Sequence, residues 1–235
     1  MKALNPSNLK DFVPYNFERG EILNVNKPEG WTSFDIVKKI RNIIKIKKVG
    51  HAGTLDPFAV GVLLICTGRA TKKVAELMKL EKEYLAIIEL GKVTDTYDRT
   101  GLVIKNTTPT KFKLCDLKRV CNSFVGEFYQ TPPMYSAVKV NGQRLYNLAR
   151  RGEVIERKPR KVKILNIEIL NYQNPCITLK VVCSRGTYIR TLANDIGEIL
   201  DCGACLKELT RTRIGSYKIE NAYSIANFER LVKSC

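Results

Sequence analysis

Histidine and long apolar stretches are both scarce in this sequence of 235 residues, which contains one histidine. A serine-histidine-aspartate triad would have to use that residue, His51, and no G-x-S-x-G motif supports one. No apolar run approaches the roughly 18 residues that a membrane-spanning helix needs, and no N-terminal apolar segment is typical of a signal peptide. A Walker loop and a G-x-G-x-x-G motif are missing too, so the sequence gives no sign of a nucleotide cofactor.

The cysteines do not form a pattern that holds a metal. One pair, Cys202 and Cys205, has C-x-x-C spacing, but there is no second pair and His51 lies far away in the sequence. A tetrahedral zinc site needs four such ligands, so we expect neither a metal nor a cofactor. Without a secretion signal the eight cysteines are expected to be reduced, and most of them to fill a core as small apolar side chains.

Positive charge is abundant: 40 Lys and Arg stand against 23 Asp and Glu, a formal net charge of +17. Such an excess predicts an acidic partner, and a phosphate backbone is a simpler candidate than a membrane surface. The basic residues cluster at Lys38 to Lys48, Arg69 to Lys82 and Lys139 to Lys163, with a smaller group near the C-terminus. Several separated clusters suit a folded RNA, although a solvated face or a DNA partner remains open on charge alone.

Apolar periodicity predicts a mixture of strands and helices without a βαβ rhythm. We therefore expect an α+β fold with a mainly antiparallel mixed sheet flanked by helices and loops. The predicted strands are EILNVNKPEGW, VGVLLIC, KEYLAIIELG, GLVIKN, VKILNIEILNY and PCITLKVVC. The predicted helices are TSFDIVKKIRNIIKI, ATKKVAELMKL, LCDLKRVCNSFVG, GTYIRTLANDIGEIL, SIANFERLVK and a short piece at Leu145 to Arg151.

The helix near residue 33 carries clear start signals. Thr32 or Ser33 can cap it, and Asp35 lies in the first turn, where a negative charge is favourable. The spacing predicts a buried face formed by four residues: Phe34, Val37, Ile40 and Ile44.

The segment VGHAGTLDPFAVGVLLICTGRATK, Val49 to Lys72, places His51 five residues before Asp56 and Pro57. One interpretation is structural, because Asp can cap a helix whose first residue is Pro.

The other interpretation of Asp56 is catalytic. A nucleoside's glycosidic bond breaks with positive charge growing at C1′, and a nearby carboxylate can stabilise or trap that charge. The base must first leave its stack, where an aromatic residue such as Tyr84 can receive it. An arginine such as Arg190 can keep the carboxylate ionised.

The stretch GHAGTLDPFAVGVL resembles the catalytic motif of the TruB-type tRNA pseudouridine synthases. Three more stretches resemble this family in the same order: NVNKPEGWTSFDIV, KEYLAIIELGKVTDTYDRTG and CSRGTYIRTLANDIG. TPPMYSAVKVNGQRLYNLARRG is similar to the family's insertion region. The resemblance covers Glu21 to Tyr217, and several linked motifs favour the catalytic interpretation of Asp56 over helix capping.

The resemblance implies roles for six residues. Asp56 would attack the target nucleotide as nucleophile or base, Tyr84 would stack on the flipped uracil, and Arg190 would pair with Asp56. The other three are Tyr188 and Leu209, which would complete the pocket wall, and His51, which would enter the RNA loop. The implied substrate is uridine 55 in the T loop of tRNA, and the product is pseudouridine, formed without a cofactor or metal. The sequence does not decide whether the aspartate adds to C1′, adds to the base or removes a C2′ proton.

Residues 1–20 lack periodicity and contain Pro6 and Pro14, so we expect an N-terminal arm, to which the resemblance assigns nothing. The resemblance implies that residues 21–235 form a pseudouridine-synthase-like catalytic domain with a basic insertion at about 130–162. We expect no PUA-type RNA-binding domain after it, and we expect a cytoplasmic monomer that binds the T arm of tRNA and no membrane. Two alternatives remain: a non-catalytic RNA-binding or RNA-folding protein, and an aspartate phosphotransferase, which would want more carboxylates around a magnesium ion.

Overall fold

The computed structural model describes residues 15–109, 111–140 and 142–233. Predictions for residues 1–14 of the arm and for Cys235 lie outside these ranges. The described residues form two compact units. The first contains the residues up to Tyr84 together with those from Leu209 onward, and the second contains Leu85–Glu208.

Strands and α-helices alternate irregularly along the described chain. In chain order they are β1 (Ile22–Lys27), α1 (Ser33–Ile44), β2 (Val49–His51), β3 (Val60–Thr67), α2 (Val74–Leu77), β4 (Lys82–Leu90), β5 (Lys92–Thr94), β6 (Val103–Asn106), α3 (Leu114–Ser123), β7 (Gly126–Gln130), β8 (Lys139–Val140), β9 (Gln143–Arg144), α4 (Leu145–Arg150), β10 (Arg160–Gln173), β11 (Cys176–Cys183), α5 (Ile189–Ile199), β12 (Ala204–Ile214), β13 (Tyr217–Lys218) and α6 (Ile225–Lys233). Two 3₁₀ helices, Gly68–Lys73 and Ile219–Asn221, complete the list.

The first unit is built around β3, which is apolar and buried along nearly its whole length. β1 and β2 both pair with β3 antiparallel, whereas β12 pairs with it in parallel. The strand order here is β1-β3-β12-β4, with β13 added to β12. A strand that is buried on both faces reads as a continuous apolar run, which is why VGVLLIC predicted it correctly.

Helix α1 begins with a complete capping box, because Thr32 accepts from the backbone of Asp35 while the Asp35 carboxylate accepts from the backbone of Thr32. Its buried face packs on β1 and β3 in one core cluster that includes Ile36, Ile40 and Phe228 of α6. The predicted buried face is wrong at Phe34, which is 60% exposed. The burial stripe is set by the residues that meet the sheet, here Ile36 in place of Phe34.

The second unit has the strand order β4-β11-β10-β7. β10 pairs antiparallel with both β11 and β7, and the short pairs β5–β6 and β8–β9 form two separate hairpins. The region predicted as a basic insertion, about residues 130–162, contains β8, β9, α4 and the start of β10. The predicted helical piece at Leu145 to Arg151 is confirmed by α4.

The predicted α+β class with a mixed, mainly antiparallel sheet is confirmed, and the described residues form six α-helices. The predicted helix ATKKVAELMKL is only partly correct, because a 3₁₀ helix occupies Gly68–Lys73 and α2 is a single turn. Strands β7 and β12 were not predicted. Within the described ranges, no helix is long and apolar enough to cross a membrane.

Candidate active site

Asp56 lies in a tight turn that leads into a strand. Its carbonyl oxygen accepts the N–H of Ala59 at 3.1 Å, and β3 begins at the next residue, Val60. There is no helix for Asp56 to cap, so the helix-capping interpretation is wrong. Asp56 is half-buried, while the neighbouring Pro57 is exposed.

The start of α1 holds the Asp56 turn from one side. Ser33 is buried, and its hydroxyl both accepts the N–H of Leu55 at 2.9 Å and donates to the Leu55 carbonyl at 3.1 Å. The N–H of Gly30 donates to the carbonyl of Pro57 at 2.9 Å. These bonds fix the backbone on both sides of Asp56, which limits the directions in which its carboxylate can point.

A buried arginine on β12 holds the segment before Asp56. Arg211 is 1% exposed, and its guanidinium donates to the carbonyls of Val62 at 2.7 Å, Thr54 at 3.2 Å and Gly53 at 3.2 Å. Arginine suits this role because its planar fork presents several donors in fixed directions.

The close approach of β12 to β3 depends on glycine. Gly61 lies opposite Arg211 in the parallel pairing, and a Cβ atom at Gly61 would be 2.3 Å from the carbonyl oxygen of Arg211. Gly61 also has φ +107°, a conformation that L side chains rarely adopt. Glycine at this position therefore allows the backbone of β12 to approach closely enough to deliver the guanidinium.

A buried lysine holds the segment after Asp56. Lys27, at the end of β1, is fully buried, and its ammonium donates to the carbonyls of Pro28 at 2.8 Å, Trp31 at 2.7 Å and Pro57 at 3.1 Å. An ammonium has three N–H donors, so all of them are used. Burial lowers the pKa of Lys27 to about 8, and the nearby negative charge of Asp56 opposes this shift.

His51 ends β2 and is half-buried opposite Ile65 of β3. Burial, and then the positive charge of Arg211, lower its pKa below the ordinary histidine value, while a hydrogen bond with the backbone of Gly53 acts in the opposite direction. The imidazole is therefore neutral near pH 7.

Two predicted site residues lie on neighbouring strands of the first unit. Tyr84 on β4 is 8% exposed, and Leu209 on β12 is 6% exposed. The start of β4 is anchored by Lys82, whose ammonium donates to the carbonyls of Met78 at 2.6 Å and Leu80 at 2.5 Å. This anchoring restricts the backbone on which the Tyr84 ring is mounted.

In the second unit, Arg190 lies in the first turn of α5 and is 4% exposed. Its guanidinium forms an ion pair with Asp98 at 3.3 Å between Nη1 and Oδ2. It also donates to the carbonyls of Thr96 at 3.2 Å and Tyr135 at 2.8 Å. A buried charge needs such partners, since desolvation without them is costly.

Asp98 is itself held rigidly. Its Oδ1 atom accepts from the hydroxyl of Thr96 at 2.9 Å, from the N–H of Thr100 at 2.9 Å and from the hydroxyl of Thr100 at 2.5 Å. Only one carboxylate oxygen is occupied in this way, which leaves the other oriented toward Arg190. The segment TDTYDRT, quoted above only for its resemblance, therefore supplies the carboxylate that orients this arginine.

Tyr188 is the residue before α5, and its backbone is clamped by one side chain. The buried amide of Gln130, at the end of β7, accepts the N–H of Tyr188 at 2.8 Å and donates to its carbonyl at 3.1 Å. This two-bond clamp fixes the start of the helix that carries Arg190.

Five residues that organise these two regions were not predicted to do so from the sequence: Ser33, Lys27, Asp98, Gln130 and Arg211. Lys27 was quoted only within a motif of the resemblance and Arg211 was counted only as positive charge, although both side chains are buried. Over residues 15–109, 111–140 and 142–233, no group of three or more His, Cys, Asp and Glu side chains is arranged to hold a metal ion.

Comparison with known proteins gives a consistent family assignment. Residues 41–189 match the model of the TruB family pseudouridylate synthase N-terminal domain, and residues 190–234 match the tRNA pseudouridylate synthase B C-terminal domain. A tRNA pseudouridine synthase B of Clostridium kluyveri is 52% identical over 204 residues, covering 87% of this chain and 70% of the relative. The protein of that name from Bacteroides fragilis is 49% identical over 220 residues, covering 91% and 94%.

Solved structures agree. A chain of a Cbf5-Nop10-Gar1 complex has a TM-score of 0.72 at 31% identity, covering 91% of this chain and 54% of its own length. A chain of an H/ACA ribonucleoprotein bound to a substrate RNA that contains 2′-deoxyuridine has a TM-score of 0.69 at 28% identity, with coverages of 91% and 53%. This chain thus spans about half the length of those solved chains. By its matched family models and its relatives, the chain belongs to the TruB family of pseudouridylate synthases and is an RNA-modifying isomerase.

Proposed function

We propose that the protein converts uridine 55 in the T loop of tRNA to pseudouridine, with Asp56 as the reacting carboxylate and with the target base flipped out of its stack. The observation that carries the proposal is the turn that bears Asp56. Its backbone is fixed by Lys27, Ser33 and Arg211, and Asp56 is its half-buried carboxylate. A carboxylate held in this way is already oriented when a substrate arrives, which lowers the entropic cost of reaction.

The reaction is an isomerisation, so no redox partner is needed. The bond between C1′ and N1 breaks, a bond between C1′ and C5 forms, C5 loses its hydrogen and N1 gains one. Attack on C1′, addition to the base and removal of a C2′ proton all require one carboxylate near both the sugar and the base. A neutral carboxamide supplies no such charge and no comparable nucleophile.

Arg190 is proposed to stabilise the ionised form of Asp56 in the working enzyme. Its own ion pair with Asp98 supports this role, because a preoriented guanidinium loses less freedom when it engages a substrate or a carboxylate. Asp98 is then a positioning residue that acts through Arg190. Gln130 supports the same helix start through Tyr188.

The remaining residues are proposed to bind the displaced nucleotide. Tyr84 presents an aromatic ring to the flipped uracil, with Tyr188 and Leu209 as pocket walls. His51 enters the RNA loop as a neutral group that hydrogen-bonds and stacks. Flipping a base costs a few kcal/mol, which stacking on an aromatic face offsets in part.

A net charge of +17 supports a polyanionic substrate. We propose that the basic region at about 130–162, in which Arg144 and Arg150 lie over the ring of Tyr146, contacts the T arm. The enzyme would act on tRNA in the cytoplasm as a monomer.

The test is tritium release from a tRNA transcript labelled at uracil C5, with the native protein and Asp56→Asn compared under single-turnover conditions. The native protein should release one tritium per tRNA, because the new carbon–carbon bond must expel that hydrogen. Asp56→Asn should release none and should bind tRNA with nearly unchanged affinity. Glu220→Gln, at an exposed carboxylate in the same unit, is the matched control and should retain release.

Two results would contradict the proposal. Full turnover by Asp56→Asn would show that Asp56 is not the reacting carboxylate. Tight binding without any release from several tRNAs would favour the RNA-binding or RNA-folding alternative, which the net charge supports equally well.

A further inference from the structure

A groove of about 380 Å³ lies beside the start of α1, outside the residues assigned so far to the flipped base. Its volume falls within the range of about 300–1,000 Å³ that is typical of small-ligand sites. Its lining is short and contiguous: Gly30, Trp31, Asp35, Lys38, Lys39 and Asn42.

One aromatic side chain that lines this groove, Trp31, is partly exposed and is the one tryptophan in the sequence; 37% of it is accessible. Phe34, three residues later at the start of α1, is 60% exposed but does not line the groove. An aromatic ring in water next to a basic helix face is typical of a stacking platform for single-stranded nucleic acid, since every base has a π-face.

The polar lining suits a nucleotide. Asp35, Lys38 and Asn42 are spaced so that they lie along one face of α1. The Asp35 carboxylate is already engaged by Thr32, from which it accepts bonds at 2.8 Å and 2.6 Å, and these bonds lower its pKa. Lys38 remains as an exposed cation for a phosphate, and the Asn42 amide as an exposed group for a base edge.

The groove is joined to the Asp56 turn by direct contacts. Gly30, which lines the groove, donates to the carbonyl of Pro57 at 2.9 Å, and Lys27 donates to the carbonyls of both Trp31 and Pro57. An RNA strand whose nucleotide reacts at Asp56 therefore passes within reach of Trp31.

We propose that this groove binds a second nucleotide of the RNA substrate, close in sequence to the target uridine, with its base stacked on Trp31 and its phosphate near Lys38. The inference rests on the proposed function and extends it, because it assigns recognition of a non-reacting nucleotide to α1. The partner chemistry is a single-stranded nucleotide of RNA.

The test uses Trp31 as its own reporter. Tryptophan emission, excited where tyrosine does not absorb, is followed while an RNA hairpin with a T-arm sequence is added to the full-length protein. Stacking should quench the emission in proportion to occupancy, with the midpoint moving to higher RNA concentration as salt rises. An unchanged emission under conditions where filter binding shows a complex would overturn the proposal.

Variants sharpen the result. Trp31→Ala should weaken RNA binding about tenfold, and Trp31→Phe, which keeps an aromatic face, should restore most of the affinity.

Lys38→Gln should reduce the slope of log affinity against log salt by about 0.7, the value for one phosphate contact in a single strand. Lys118→Gln, at an exposed lysine on α3, is the matched control and should leave that slope unchanged. Equal slopes for Lys38→Gln and the native protein would remove Lys38 from the site.

Tritium release measured on the same samples separates the two proposals. Release together with an unquenched Trp31 would defeat the groove proposal alone. Quenching without release from any tRNA would defeat the proposed function and leave the groove as an RNA-binding site.

Discussion

Two buried arginines of this protein are satisfied in different ways, and the contrast shows how each region is built. Arg211, beside the Asp56 turn, donates to three backbone carbonyls. Arg190 in the second unit donates to two carbonyls and also pairs with the carboxylate of Asp98. Arg211 and Lys27 therefore bring positive charge to the surroundings of Asp56, whereas Arg190 has a carboxylate partner within its own unit.

The difference indicates that Arg211 and Arg190 have different structural roles. Carbonyl acceptors fix the path of a backbone, so Arg211 and Lys27 determine where the turn with Asp56 lies. The carboxylate of Asp98 orients the guanidinium of Arg190 together with the carbonyls of Thr96 and Tyr135. Substitutions at the two regions separate these roles, and the largest expected effect is in the second unit.

Removing Asp98 should have the largest effect on stability. Asp98→Ala removes a carboxylate that pairs with the buried guanidinium of Arg190, and breaking such a pair costs about 3–5 kcal/mol. Equilibrium unfolding in urea should show this loss. The control is Asp116→Ala, which removes an exposed i,i+3 partner of Arg119 and should cost no more than about 1 kcal/mol. Similar losses of unfolding free energy in the two variants would show that the buried pair of Asp98 and Arg190 contributes no more than an exposed ion pair.

Replacing Arg211 should affect catalysis more than RNA binding. Arg211→Met leaves the carbonyls of Gly53 and Thr54 without their donors, and hydrogen bonds to charged groups contribute about 1.5–3 kcal/mol each. We expect a single-turnover rate at least about tenfold lower with a nearly unchanged tRNA dissociation constant, because the misplaced group is Asp56. Arg211→Lys should recover part of the rate, since one cationic donor remains. A loss confined to tRNA affinity would show that Arg211 does not position the turn.

The titration of Lys27 gives a pH test. Burial lowers its pKa from the ordinary 10.5 to about 8. Between these values the unfolded chain binds more protons than the folded one, so the contribution of Lys27 to the free energy of unfolding rises with pH. The neutral amine can donate only two hydrogen bonds, so one of three carbonyls loses its donor. Turnover should therefore fall as pH rises through about 8 without a loss of stability from this group.

The Lys27 prediction is checked with pH profiles of the single-turnover rate. Lys27→Arg keeps a cation that does not titrate in this range. The fall of its single-turnover rate at alkaline pH, the alkaline limb of the profile, should therefore occur at higher pH than in the native protein. Thermal unfolding of both proteins at each pH separates this effect from loss of the fold. An alkaline limb that stays at the same pH in Lys27→Arg would assign it to another group.

The smallest expected effect concerns His51. Burial and the charge of Arg211 lower its pKa, so the imidazole is already neutral at pH 7. His51→Gln should leave the shape of the pH profile at pH 7 and above unchanged, even if RNA affinity falls. A change in rate with pH above 7 that the native protein shows and His51→Gln lacks would contradict a lowered pKa for this histidine.

Much of the fold was accessible from the sequence because its patterns are local. The start of α1, the core strand β3 and the α+β class follow from short-range patterns of capping, apolar runs and periodicity. Phe34 was misplaced because periodicity alone does not reveal which stripe of a helix meets the sheet. Asp98 and Gln130 were missed because their partners, Arg190 and Tyr188, lie 92 and 58 residues away.

The sequence by itself determined the family resemblance, the excess of positive charge and the identity of the candidate carboxylate. Only the tertiary structure decided that Lys27 and Arg211 are buried cations and not part of a basic surface. The physical reason is that the sequence does not show which hydrogen-bond acceptors a charged side chain will contact in the folded protein. The carbonyls that satisfy Arg211 belong to residues about 150 positions away, and they become neighbours only when β12 pairs with β3.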